Sequence, residues 1–220
     1  MTNSKQKLNR ITATAIFAAI AYLSMFLTPF RVDFLTFDIK DAVMTIGALY
    51  LGPLAGLAMA AVTSLLEMVT ISQTGIDGMI MNFIGSATYT VVASLIYTYR
   101  KSLKNAVLGL LSATLSMTAV MLAANLIITP GFKGVPVKAV IAMIPTLLLP
   151  FNLLKGVLNS ALVMLLYKPV TTAMRTTRLA VGEVHKGTNK NTIIVTAVSL
   201  AVIAAALVFF FAVLGAKLGG

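Results

Sequence analysis

From residue 11 onward the chain is a succession of apolar runs separated by short polar intervals. A helical membrane span needs about 20 predominantly apolar residues, and candidate spans fall at residues 11–29, 39–51, 53–71, 79–99, 106–128, 137–167 and 192–214. The second is short, and Asp38, Lys40 and Asp41 at its start predict an outer end wrapped by protein rather than lipid. The sixth is too long for one perpendicular span and contains Pro145 and Pro150. It predicts a short helix, a break near those prolines, then a span running to about Tyr167. Gly52-Pro53 reads as a tight turn between spans two and three, and Gly75-Ile76-Asp77-Gly78 as the outer loop before span four. The longest polar connection, residues 171–191, divides a six-span body from the final helix. Four regions result: an N-terminal segment 1–10, a membrane domain 11–175, a linker 176–191 and an extra helix within 192–220. That last helix carries no charge and ends in Phe209-Phe210-Phe211, which predicts a lipid-facing appendix. No internal repeat of the inverted-repeat transporter kind is present.

Composition sharpens the class. Of 220 residues 59% are apolar and only 10% charged, with a mean hydropathy of +0.96. A soluble globular domain is excluded, and the reading is an all-α integral membrane protein. The net charge of +11 would point to nucleic acid in a soluble chain. Here its placement points to membrane orientation, with no nucleic-acid partner expected. With the N-terminus cytoplasmic, eleven of the seventeen basic residues fall on inner segments, and five of the six acids fall in the outer half. The positive-inside bias therefore supports seven spans of a multi-pass cell-membrane protein, with the C-terminus outside. The first run follows a short basic segment but has no clear small-residue cleavage site, so it is read as a span rather than a signal peptide.

Chemistry-bearing residues cluster by depth. In Leu149-Pro150-Phe151-Asn152-Leu153-Leu154-Lys155-Gly156 an amide and an ammonium stand one helical turn apart inside an apolar run. A lysine near the middle of a span costs about 2.5–3.5 kcal/mol on insertion scales, so it normally faces a polar cavity or partner. Asn152, Lys155 and Asn159 form one helical stripe. Asp38, Asp41, Glu67, Asn82 and Asn125 join it at similar depth from other spans, as an outward-facing cavity requires. Structural bridging between helices is the bland alternative for each asparagine. Candidate aromatic walls are Phe37, Phe83, Tyr89, Phe132 and Phe151. On span one, Ala15 and Ala19 form a small-residue pair that lets another helix approach closely.

Absences bound the function further. There is no cysteine, and the single histidine, His185, sits in the polar connection beside Lys186, so no metal site is expected. No P-loop, His-Glu-x-x-His or Gly-x-Ser-x-Gly motif occurs. Nothing recommends hydrolase chemistry, ATP hydrolysis by a P-loop is excluded, no cofactor is expected, and an enzyme is the least supported class.

These residues carry a resemblance. Over about residues 8–175 the chain resembles the substrate-binding S component of energy-coupling factor (ECF) vitamin transporters, of the riboflavin type. Pro150-Phe151-Asn152-Leu153-Leu154-Lys155-Gly156 is similar to that family's Pro-Phe-Asn-x-x-Lys-Gly segment. Phe37-Asp38-Ile39-Lys40-Asp41, Leu51-Gly52-Pro53-Leu54-Ala55-Gly56, Asn82-Phe83 and Asn125 followed by Thr129-Pro130 support it. The chain departs from the family in its seventh span and in Lys40, where a small polar residue is more usual, and the absence of Trp disfavours thiamin.

The resemblance implies a six-helix S-component bundle plus one additional C-terminal transmembrane helix, in the plasma membrane of a prokaryote. It implies high-affinity binding and uptake of riboflavin, or of its phosphate ester. Release would be powered by a transmembrane coupling subunit and two ATPase subunits, the coupling subunit meeting Ala15 and Ala19. Asn125, Asn152 and Lys155 are then expected on the ring's polar edge, with Asp38 and Asp41 on the polyol or holding the outer loop. Asn82 completes the expected set. The competing readings are an S component for another vitamin or heterocycle, a self-sufficient ion-coupled transporter using Asp41, Glu67 and Lys155, and a ligand-free anchoring subunit.

Overall fold

The structure is a computed structural model and describes residues 3–27, 30–176 and 189–209. Most of the polar connection, including His185, and the end of the last span from residue 210 lie outside the described residues. The chain runs through α1 (Asn3–Ser24), a hairpin of β1 (Phe30–Val32) and β2 (Leu35–Phe37), α2 (Lys40–Leu51), α3 (Pro53–Thr70), α4 (Gly75–Tyr99) and α5 (Leu103–Lys133). It continues through α6 (Val137–Met143), a π-helical segment (Ile144–Leu148), α7 (Leu149–Thr176) and α8 (Asn189–Phe209). Among the described residues four helical runs are long and apolar enough to cross a membrane: Pro53–Thr70, Gly75–Tyr99, Leu103–Lys133 and Val137–Ala173.

Burial differs from that of a soluble protein in that the outer faces, as well as the core, are apolar. Outward faces carry exposed leucines, isoleucines and valines, whereas Thr45, Thr63, Ser86, Thr90, Ser94, Thr114 and Thr118 are buried between helices. Small hydroxylated residues let helices approach and bond one another where lipid offers no hydrogen bonds. α2 is the innermost helix, with all but Val43 of its twelve residues buried. At 1.5 Å per residue it is about 18 Å long, too short to cross alone, which is why its polar N-terminal end is enclosed by protein. Gly52, at φ 102°, makes the turn into α3 in a conformation that a side chain would strain. Arg10 Nη2 donates to Leu51 O at 2.5 Å beside it, satisfying a carbonyl at the end of α2.

Several elements differ from the sequence reading. The expected break at Pro145 and Pro150 is instead the π segment, in which the Leu149 N–H donates to Ile144 O and the rod stays continuous. Each proline removes a donor, and a one-residue register shift absorbs the mismatch. Polar side chains bond neighbouring carbonyls of the same rod: Thr146 Oγ1 donates to Ala142 O at 3.3 Å and Asn152 Nδ2 to Leu148 O at 2.7 Å. Gly75 to Gly78 form the first turn of α4 rather than a loop. α5 begins before Ala106 and runs past Ile128 through Pro130, and α7 passes Tyr167 and Pro169. The hairpin had no counterpart in the hydropathy pattern. α8 is not wholly lipid-facing either: it packs along α7, burying Ser199 and Ala206.

Candidate ligand-binding site

A cavity of about 400 Å³ opens at the end of the bundle where α1, α3 and α5 finish and α4 and α7 begin. Its size falls in the range of small-molecule sites. The hairpin supplies Phe34, Leu35 and Thr36 to one wall, the α3–α4 connection supplies Ser72, Gln73 and Thr74 to another, and Phe132 and Phe151 add aromatic surface. Phe34 lies 6.2 Å from Phe132, ring to ring, and carries the Lys133 ammonium 4.6 Å from its centroid. At the mouth Lys133 pairs with Asp33 at 2.5 Å.

The closed end is ionic. Lys155 Nζ lies 3.1 Å from Asp38 Oδ2 and 3.4 Å from Asp41 Oδ2. Lys40 Nζ lies 2.5 Å from Glu67 Oε2 and 3.8 Å from Asp38 Oδ2. All five groups are at least nine-tenths buried, and Lys40 is fully so. Three carboxylates against two ammoniums leave the network one negative charge in excess. Ser86 Oγ donates to Asp41 Oδ1 at 2.5 Å. Hydrogen bonds of this charge-assisted kind are what make buried ions tolerable.

Besides the Lys155–Asp41 pair, one side chain ties α7 to the backbone at the start of α2. Asn159 Oδ1 accepts from the Ala42 N–H at 2.9 Å, while its Nδ2 donates to Asp38 O at 3.3 Å and to Lys155 O at 3.0 Å. The N-cap of α2, Ile39, has no side-chain cap of its own, so an amide 117 residues away does that work. Gly156 allows the same approach on the far side, since a Cβ there would fall 2.6 Å from Thr114 Cγ2. Tyr89 bonds Ser160 Oγ at 2.7 Å and donates to Gly156 O at 3.2 Å, bracing the turn that carries Lys155.

Each residue expected from sequence has a definite place. Asp41, Asn82, Asn152 and Lys155 line the cavity. Asp38 stands behind Lys155, accepting the Lys40 N–H through Oδ1 at 3.2 Å. Asn125 is fully buried behind the wall. It donates to Met121 O at 2.7 Å and accepts from Thr129, itself a wall residue, at 2.8 Å. Ala15 and Ala19 are exposed on α1, with Ala18 turned inward. Of the five aromatic candidates, Phe132 and Phe151 reach the cavity. Phe37 packs edge-on against Phe151 at 6.4 Å. Phe83 and Tyr89 belong to the helix core.

Sequence reasoning missed Ser86, the hairpin wall and the Lys40–Glu67 pair. Ser86 lies one turn after Asn82, a signal available on the α4 stripe. The pair joins residues 27 apart on different helices and had no local signature.

The family described as ECF transporter, substrate-specific component, matches residues 9–167. The riboflavin transporter RibU of Staphylococcus aureus (strain TCH60) is 29% identical over 180 residues, 76% of this chain and 95% of that protein. The riboflavin transporter FmnP of Bacillus subtilis (strain 168) is 27% identical over 177 residues, 73% of this chain and 91% of that one. A solved structure of the S component of a bacterial ECF transporter superposes with a TM-score of 0.65 at 28% identity, covering 77% of this chain and 99% of that one. The family match ends at residue 167, ahead of α8.

Proposed function

This chain belongs to the family of ECF transporter substrate-specific components, and on that premise we propose that it is the riboflavin-binding subunit of a vitamin importer. The observation that carries the reading is the pairing of Lys155 and Asn152 at the closed end of an aromatic-walled cavity of about 400 Å³. Riboflavin is a flat heteroaromatic with imide donors and acceptors and a polyol tail. Such a ligand needs apolar walls and a few placed polar groups. Asn152 keeps Oδ1 for the ligand because its Nδ2 is committed to Leu148 O. Asn82, in the cavity wall, makes no hydrogen bond among the described residues and offers both a donor and an acceptor. Asp38 and Asp41 hold the Lys155 ammonium in place, and Asn125 positions Thr129.

The chain would bind its ligand from outside with the N-terminus cytoplasmic. A coupling subunit would dock on the exposed Ala15 and Ala19 face of α1, and two ATPase subunits would drive release inward. The protein is a binder and not an enzyme.

The absorption spectrum of the purified protein tests this. A bound flavin band, or saturable quenching of added riboflavin fluorescence, is the expected result. A protein that binds no flavin sinks the proposal. Uptake by this chain alone, abolished by collapsing the ion gradient, would favour an ion-coupled transporter instead.

A further inference from the structure

Glu67 is unlike the other ions of the network. Its Oε2 takes the Lys40 ammonium at 2.5 Å, and its side chain lines the cavity. Oε1 has no protein donor among the described residues, yet it is not sealed from the cavity. Asp38, by contrast, accepts through both oxygens, Oδ1 from the Lys40 N–H and Oδ2 from Lys155. Asp41 likewise has both oxygens engaged, Oδ1 accepting from Ser86 and Oδ2 in an ion pair with Lys155. Glu67 is therefore the network's open acceptor, and it belongs to the group that carries one uncompensated negative charge.

A carboxylate oxygen that faces a cavity takes its hydrogen bond from the cavity's contents. Its complement is an O–H or N–H supplied by whatever fills the cavity. The ring-recognising groups Asn152 and Lys155 lie on α7, whereas Glu67 projects from α3 at the other end of the ion chain that runs through Lys40 and Asp38. Beside it, the α3–α4 connection adds hydroxyls to the wall, Ser72 Oγ and Thr74 Oγ1 lying 3.1 Å apart. The α3–α4 side thus suits a string of hydroxyls, and the α7 side suits the edge of a ring.

We infer that Glu67 is a specificity residue, its open carboxylate oxygen accepting a hydrogen bond from a hydroxyl of the ligand's polyol tail, with Lys40 holding it in place. The inference rests on the flavin reading above. It assigns Lys40 a purpose in that pair: the lysine fixes one carboxylate oxygen, so that the other stays aimed at the ligand.

The test compares two flavins on the full-length protein in detergent by fluorescence titration. Riboflavin has the polyol; lumiflavin has a methyl group in its place. Glu67→Gln is expected to weaken riboflavin binding by about tenfold or more, the size of a lost charge-assisted hydrogen bond, and lumiflavin binding by less than about twofold. The paired variant Lys40→Gln/Glu67→Gln keeps a neutral amide pair at the site and gives the same split even where the single variant folds poorly. Equal losses for both flavins, or no loss for either, overturn the assignment and leave Glu67 as the counter-ion of Lys40. A wild-type protein that binds neither flavin overturns the flavin reading itself, a distinguishable outcome.

Discussion

Replacing Lys155 by methionine removes the ammonium while keeping an unbranched side chain one atom shorter. In the wild type that ammonium lies 3.1 Å from Asp38 and 3.4 Å from Asp41. After the change, Asp38 retains the Lys40 N–H at 3.2 Å and the Lys40 ammonium at 3.8 Å, and Asp41 retains only the Ser86 hydroxyl. The network passes from one to two negative charges in excess. Truncating one partner of a buried pair typically costs about 3–5 kcal/mol, because the remaining charge is left uncompensated. Both carboxylates are almost wholly buried, so the cost belongs in that range and not with surface pairs, which are worth at most about 1 kcal/mol.

Adding Asp38→Asn to the lysine variant removes one stranded charge, and a coupling energy of about 1–3 kcal/mol between the two positions is expected. The assay is reversible unfolding in detergent, followed by far-ultraviolet circular dichroism on the four members of the cycle. Riboflavin titration of the same samples reads binding separately, and more than about a tenfold loss is expected for Lys155→Met, in line with losing a hydrogen bond to a charged group. A lysine variant within about 0.5 kcal/mol of wild type, as for an ordinary surface change, with undiminished affinity, would refute the ion-pair reasoning.

Other outcomes follow from the same geometry. Asn159→Ala leaves the Ala42 N–H uncapped and releases Asp38 O; a loss of about 1–2 kcal/mol in detergent unfolding is expected. Gly156→Ala drives a methyl group to 2.6 Å from Thr114 Cγ2, for a cost of about 1–3 kcal/mol, and Thr114→Ser in the same chain should restore part of it. Gly52→Ala places a side chain at φ 102° and should cost about 1–3 kcal/mol of stability, with affinity for riboflavin in the folded fraction unchanged. Ala19→Trp enlarges an exposed position on α1 and should leave riboflavin binding intact in detergent while stopping uptake in cells; uptake at the wild-type rate would remove this face from the docking surface.

The local periodicities were legible without coordinates. Apolar runs placed the four described helical runs long enough to cross a membrane, since a segment that faces lipid must satisfy its backbone within itself. Asn152, Lys155 and Asn159 share a stripe through the helical repeat alone, and Gly52-Pro53 announces its turn chemically. The structure decided what depends on neighbours distant in sequence. Asn125 lies at a depth similar to that of Asn152, yet it is fully buried behind the wall, bonded to Met121 O and Thr129, while Asn152 lines the cavity. Pro145 and Pro150 predict a break, but a π turn, closed by the Leu149 N–H on Ile144 O, keeps the rod continuous. Lys40 read as a departure from a motif until α3 brought Glu67 within 2.5 Å of it. Hydropathy and spacing report which groups lie at the same depth of a bilayer; which of them pair is settled by helix rotation and crossing, and those are properties of the packed bundle.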